Sequence, residues 1–306
     1  MTNILYKLTY GFLWLISLLP LPVLYLFSDF IYLFVGPLFG YRRKVIRENL
    51  KNSFPEKSEK ELRKIEKGFY HYLCDNAVEN VKQLSMSKKQ MMRRMQFKNV
   101  EMLREGFKDH QFTWLYLAHY GSWEWIASLQ YWLDMAKTCQ VYHPLRNDVF
   151  DRLYTHLREQ YGGESIPMKQ TLRRILEMRK EGTKAVIGLL SDQLPKWNGI
   201  HHFTPFLHRE SAVYTGAEQM GKKIGGMMVY GRMRRVKRGY YECELVKMTF
   251  EPKKFKDFEL TDQYMHLLEE DIKRQPEIWL WSHKRWRRTK EQWLERQKKA
   301  DEKSQE

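Results

Sequence analysis

The chain has 306 residues, of which 43% are hydrophobic and 14% aromatic, enough for a substantial core and too many for wholesale disorder. Its formal net charge of +16 favours nucleic acid, anionic lipid or an acidic partner without choosing among them. A mean hydropathy of -0.64 argues against a multi-span membrane protein. Three widely spaced cysteines, Cys74, Cys139 and Cys243, fit no metal-ligand spacing and read as reduced, packed thiols in a cytosol-facing protein.

Residues 11–27 carry no charge, and after Ser28 and Asp29 a second apolar run reaches Phe39. A bilayer span needs about 20 apolar residues. One tilted helix fits, and so does a shallow helix–break–helix in one leaflet, with Pro20 and Pro22 at the break. A buried helical hairpin of the core is the third reading. A cleavable signal fits less well, because the run is too long and no small-x-small site closes it. Arg42, Arg43, Lys44 and Arg47 follow at once, which keeps the remainder cytoplasmic by the positive-inside rule.

Ser58–Ser85 reads as a helix opened by a capping box, Ser58 with Glu61. Residues 86–110 read as a basic connecting helix leading into Gln111–Trp125, QFTWLYLAHYGSWEW. Its first eight residues read as a strand buried on both faces. His119 then stands at the strand end, Gly121 permits a tight turn, and Ser122 caps a helix with Glu124 in its first turn. That geometry lets the Glu124 carboxylate hold one imidazole nitrogen while the other acts as a general base. The bland alternative is a capping histidine and an ordinary first-turn acid.

Beyond it, Thr138–His143 reads as a strand, Phe150–Tyr161 as a helix ended by Gly162–Gly163, and Lys169–Glu181 as a helix stopped by Gly182. Ala185–Ser191 reads as an apolar strand and Ser211–Lys223 as a helix. Ile224–Gly231 and Tyr240–Phe250 read as strands joined by a basic turn, Arg232–Gly239. Thr261–Gln275 is a further helix, and the charged tail from about Arg287 reads as a frayed helix or disorder. This alternation predicts an α/β fold with a mostly parallel central sheet flanked by helices, whose sites gather at the carboxyl ends of strands, where His119 and Asp192 both sit. The expected organisation is a membrane anchor over 1–40, an α/β domain over 41–290 and a charged tail over 291–306.

No G-x-S-x-G elbow, P-loop or dinucleotide glycine motif is present. His201, His202 and His208 complete no zinc pattern, so no metal site is expected. Arg158 is a candidate for holding a phosphate or positioning an acceptor, or else a surface helix arginine paired with an acid. Arg146 is a second candidate for the same work. Asp192 and Gln193 either orient an acceptor and brace the histidine loop or satisfy loop amides. Trp279, Trp281, His283, Lys284, Arg285, Trp286 and Arg287 mix indoles with cations, which suits a lipid headgroup interface or single-stranded nucleic acid.

Several blocks together resemble the late acyltransferases of lipid A biosynthesis, within the lysophospholipid acyltransferase superfamily. They are RENL at 47–50, AHYGSWEW at 118–125 with its H-x-x-x-x-[DE] signature, Arg158 before Gly162–Gly163, SDQLP at 191–195, FTPFLHRESAVYTG at 203–216 and QPEIWLWSHKRWR at 275–287. Members often carry Asn before or within the histidine motif, where this chain has Ala118 and Ser122. The resemblance implies a glycerolphosphate/lysophospholipid acyltransferase-like fold and an O-acyltransferase in which His119 is the base and Glu124 its partner. It further implies an acyl carrier protein thioester or acyl-CoA as co-substrate with no other cofactor, and a lipid A precursor as acceptor. It places the enzyme on the cytoplasmic side of a bacterial inner membrane. A lysophospholipid or aminolipid acceptor is the near alternative. A basic, membrane-tethered nucleic-acid-binding protein and a non-catalytic lipid-binding relative are the rivals from other classes.

Overall fold

The structure is a computed structural model that describes residues 2–305; Met1 and Glu306, at the ends of the expected anchor and tail, lie outside the described residues. The N-terminal run forms α1 (Thr2–Ser17) and α2 (Leu21–Leu33), and a π-helical turn carries α2 on to Leu38. Pro20 starts α2, where a missing N–H costs nothing. Leu21–Leu38 is long and apolar enough to cross a membrane. Both helices also lie against the folded body. Then come α3 (Arg43–Ser53) and α4 (Glu59–Gln83). The expected capping box opens α4: Ser58 and Glu61 satisfy each other's backbone N–H. Next are α5 (Lys88–Arg94), β1 (Met95–Lys98), α6 (Val100–Asp109), β2 (Phe112–Leu117), β3 (Lys137–Tyr142) and α7 (Asp148–Glu159). β4 (Glu164–Pro167), α8 (Thr171–Glu181), β5 (Ala185–Leu190), the hairpin β6 (Phe203–Phe206)–β7 (Arg209–Ala212) and α9 (Gly216–Ile224) follow. β8 (Met227–Lys237), β9 (Tyr240–Thr249), α10 (Glu259–Arg274) and α11 (Lys290–Gln305) complete the described chain.

The described residues form a seven-stranded sheet in the order β1-β9-β8-β2-β5-β3-β4. Every pairing is parallel except β8 with β9, so the chain has the mostly parallel α/β fold its alternation predicts. β2 sits between β8 and β5 and is buried at all six positions, which its uncharged FTWLYL sequence permits.

Three expectations change. The stretch 86–110 holds the edge strand β1 between two helices, and Ser211 and Ala212, the first two residues of the expected helix 211–223, belong to strand β7. The basic turn Arg232–Gly239 is largely strand: β8 runs to Lys237, because its cations are neutralised. Arg235 and Arg238 both bind Asp75 of α4, and Arg232 binds Asp271. The tail, read as a frayed helix or disorder, forms the helix α11.

Candidate active site

β2 and β5 are neighbours with Leu117 opposite Leu190, and Ser191 N–H donates to Leu117 O at 3.0 Å. Parallel strands in that register end together, so His119 and Asp192, each two positions further on, emerge side by side. His119 Nδ1 lies 2.7 Å from Asp192 Oδ1. A carboxylate only accepts, so Nδ1 carries the proton, and in the neutral ring Nε2 is the nitrogen left with a free lone pair. Asp192 Oδ2 accepts from Trp279 Nε1 at 2.9 Å. Asp192 is 1% exposed. Burial would push its carboxyl up, but attraction to His119 and the imidazole and indole hydrogen bonds outweigh burial and hold it below the usual carboxylate range.

The turn that carries His119 is pinned from several directions. Gly121 has φ +62, and a Cβ there would lie 2.5 Å from Met233 Cγ, so only glycine fits without a shift. Gly121 N donates to Ile278 O and Leu280 N to His119 O, which lays the segment after α10 alongside the turn. Tyr72 donates to Gly121 O at 2.6 Å. Asn49 of the RENL block donates to the carbonyls of Trp281 and His283. Blocks far apart in sequence therefore meet around one imidazole.

The expected partner of His119 is corrected. No hydrogen bond or ion pair joins Glu124 to His119 among the described residues. After Gly121 the chain winds into a 3-10 run, Trp123–Trp132, and Ser122 makes no cap: its Oγ is buried without a partner. Glu124 meets α7, where Arg158 donates through Nε and Nη2 to its two oxygens at 2.8 and 2.9 Å. Arg158 is therefore no free phosphate-binding cation. Burial disfavours its charge, but Glu124 more than offsets this and holds the guanidinium above its ordinary value. The Tyr142 and Tyr154 rings flank it.

His119, Glu124, Arg158 and Gln193 all line one cavity of about 670 Å³. Leu73, Ala77, Leu117, Ile126, Val141 and Leu190 supply much of its apolar wall. Gln193 has no hydrogen-bond partner among the described residues, so a free carboxamide lines the same cavity as the imidazole. Arg146 is exposed on the loop after β3 and does not line the cavity, although its neighbours His143 and Leu145 do. His202 stacks on Phe258 and binds Asp262. The described residues contain no group of three or more side chains fit to hold a metal.

Three other nucleophiles or bases, Cys74, Cys139 and His283, are unsuited. Burial pushes the thiols of Cys74 and Cys139 up to about 11 and 12. Burial pushes His283 down to about 4, and its Nε2 already accepts from Leu194 N. Sequence reasoning placed His119 and Asp192 at strand ends and offered Asp192 as a brace for the histidine loop, but gave the imidazole Glu124 as its partner. It missed Trp279 as the second holder of Asp192, for which no local signal exists.

A buried acid holds an imidazole that lines a cavity of about 670 Å³ with a largely apolar wall. A comparison with curated proteins finds no match. The family model for bacterial lipid A biosynthesis acyltransferases matches residues 2–288. That match takes in the helical N-terminus, the whole sheet and every residue of the site, and the chain belongs to this family of acyltransferases.

Proposed function

We propose that this enzyme transfers a fatty acyl chain from an acyl carrier protein thioester to a hydroxyl of a lipid A precursor, with His119 as general base and Asp192 as its partner. His119 Nε2 takes the proton of the acceptor hydroxyl as its oxygen bonds to the thioester carbonyl carbon. The tetrahedral oxyanion collapses, the C–S bond breaks, and the imidazolium returns the proton to the departing sulfur. Asp192 holds the tautomer and stabilises the imidazolium, the role the spacing of the motif gives to Glu124. The Glu124–Arg158 pair walls the cavity as a mutually neutralised unit. Gln193 offers its amide to the oxyanion or the acceptor. A thioester is already activated, so no acyl-enzyme is required.

The observation that carries this reading is the 2.7 Å contact with Asp192 made by His119, which lines the largely apolar cavity. The net charge of +16 suits both an acidic carrier protein and an anionic glycolipid. Outward apolar residues on α1 and α2, among them Leu8 and Leu26, support attachment to a membrane; the positive run after them favours a cytoplasmic body. An oligonucleotide-binding role leaves the dyad and the cavity without a use.

The test is a transfer assay with purified full-length protein in detergent. Acyl carrier protein and coenzyme A thioesters are offered against a lipid A precursor, a lysophospholipid and an aminolipid, and products are weighed by mass spectrometry. Acylation of the lipid A precursor from the carrier thioester is expected. Preference for another acceptor would replace that substrate, and no transfer to any of the three would remove the reading.

A further inference from the structure

The polar side chains of α2 stand at positions 25, 28, 29 and 32, a spacing that puts them on one helical face, and the folded body holds each of them. Tyr25 donates to Glu79 Oε1 at 2.8 Å, and Ser28 Oγ to Asp75 Oδ1 at 2.7 Å. Asp29 Oδ1 accepts from Arg238 Nη2 at 2.6 Å, and Arg238 also binds Asp75. The Tyr32 ring stacks on His71 with 3.6 Å between centres. Lys82 Nζ donates to the carbonyls of Ser17 and Leu19 at 2.7 and 3.1 Å, which fixes the break between α1 and α2. On the α1 side, Arg152 of α7 donates to Asn3 and lies over the Tyr6 ring.

The opposite face of the pair is apolar and open. Leu8, Phe12 and Leu15 of α1 and Leu26, Phe30 and Leu33 of α2 are each more than half exposed. Arg42 and Lys44 follow, exposed and in no ion pair among the described residues. Apolar side chains backed by cations fit a bilayer with anionic headgroups. They do not fit a crossing. The 18 residues Leu21–Leu38, at about 1.5 Å each, would only just cross a hydrocarbon core of about 30 Å. Asp29 stands midway along them. A crossing therefore carries the Asp29–Arg238–Asp75 cluster to the bilayer midplane, where charges are costly, or tears it apart.

We propose that α1 and α2 form an in-plane anchor seated in one leaflet of an anionic bilayer, and that neither helix crosses the membrane. The inference rests on the membrane attachment proposed above and deepens it. In this arrangement α4 stands between the leaflet and the reaction cavity. Its Asp75, Glu79 and Lys82 hold the anchor, while its Leu73, Asn76 and Ala77 line the cavity. Tyr154 of α7 shares an apolar cluster with Tyr6 and Tyr10 of α1 and lines the cavity too. The cavity is thus one helix removed from the leaflet, and a lipid acceptor can reach it with its chains still in the membrane.

The test is the topology of the full-length protein, carrying an epitope at each end, in a Gram-negative host. Protease is added to spheroplasts and to inverted inner-membrane vesicles. An in-plane anchor leaves both epitopes on one face, so both should be lost from inverted vesicles and kept in spheroplasts. Epitopes lost from opposite faces mean that α2 crosses, and overturn the inference. A hairpin whose two helices both cross would also keep its ends together, so the break between them is probed as well. In Leu19→Cys the new thiol marks that break, and the native thiols are buried. A membrane-impermeant maleimide added to the face away from the epitopes should leave the new thiol unlabelled; labelling from that face overturns the inference. Full-length protein that does not sediment with membranes removes the attachment and the inference together. Neither readout depends on turnover, so a flat-lying protein without acyl transfer would count against the proposed reaction and leave the anchor standing.

Discussion

Asp192 and Trp279 are joined by one indole hydrogen bond of 2.9 Å, and that bond leaves a single carboxylate oxygen to face His119. The Trp279 ring also packs against Phe206 and Trp281. Trp279→Phe keeps most of that packing and removes the donor. The expected result is a fall in kcat of about 10-fold, the worth of one buried hydrogen bond near 1.4 kcal/mol, with little change in melting temperature. An unchanged kcat at saturating substrate would show that the indole does not hold the dyad.

Glu124 and Arg158 make a different kind of pair. Each is the other's charge compensation in a site almost closed to solvent, with side-chain exposures of 7% and 15%. Removing one partner strands the other, at a cost of about 3–5 kcal/mol, whereas removing both does not. Glu124→Gln should therefore lower the melting temperature more than Glu124→Gln with Arg158→Met. Thermal melts of the singles and the double provide the check. Additive losses would mean that the two do not act as a compensating pair.

Glu79 gives the fold a pH dependence. Burial pushes its carboxyl up to about 7, against the pull of Arg235 and the hydroxyls of Tyr25 and Tyr241. A carboxyl with a folded pKa above its unfolded one favours folding when protonated. The contribution is complete below the unfolded value of about 4.3 and is lost as pH rises through 7. Glu79→Gln is neutral throughout, so a stability gap in its favour, on the order of 2 kcal/mol, should open between pH 5 and pH 8. Melting curves that stay parallel over that range would contradict the assignment.

Leu8 and Phe12 are four positions apart on the outer face of α1, 66% and 64% exposed, while the opposite face packs on α4 and α7. A double Leu8→Asp, Phe12→Asp change should release the protein from anionic vesicles in a flotation assay without lowering its melting temperature. Deleting residues 1–40 is a harsher change, because Ser17 O receives Lys82 and Ser28 donates to Asp75 inside the fold. Retention of the aspartate variant on vesicles would place the membrane contact elsewhere.

Much of this architecture was legible before the structure, and for local reasons. The Ser58–Glu61 capping box, the uncharged run of β2 and the apolar run of β5 each carry their signal within a few residues. β1, β4, β6 and β7 carry none, being four residues each; β1 is held by the distant β9 and β4 by β3, and β6 and β7 pair only with each other. The cations of β8 disguised a strand as a turn, since partners such as Asp75 on α4 for Arg235 and Asp271 on α10 for Arg232 lie far away in the chain. The same limit governed the site. Strand ends marked His119 and Asp192 individually, but their pairing follows from the β2–β5 register, which no spacing reports. Glu124, five residues away, offered a nearer partner, and the 3-10 winding that carries it to Arg158 was not written in the motif.

The central claim is that His119 and Asp192 act as one base. It is tested most directly by a double-mutant cycle on kcat/KM for acyl transfer with His119→Ala, Asp192→Asn and the double variant. Each single change should cost about 10²–10⁴ in rate, and the double should be no more than a few-fold slower than the slower single. Losses that multiply, or near-normal turnover in His119→Ala, would contradict it.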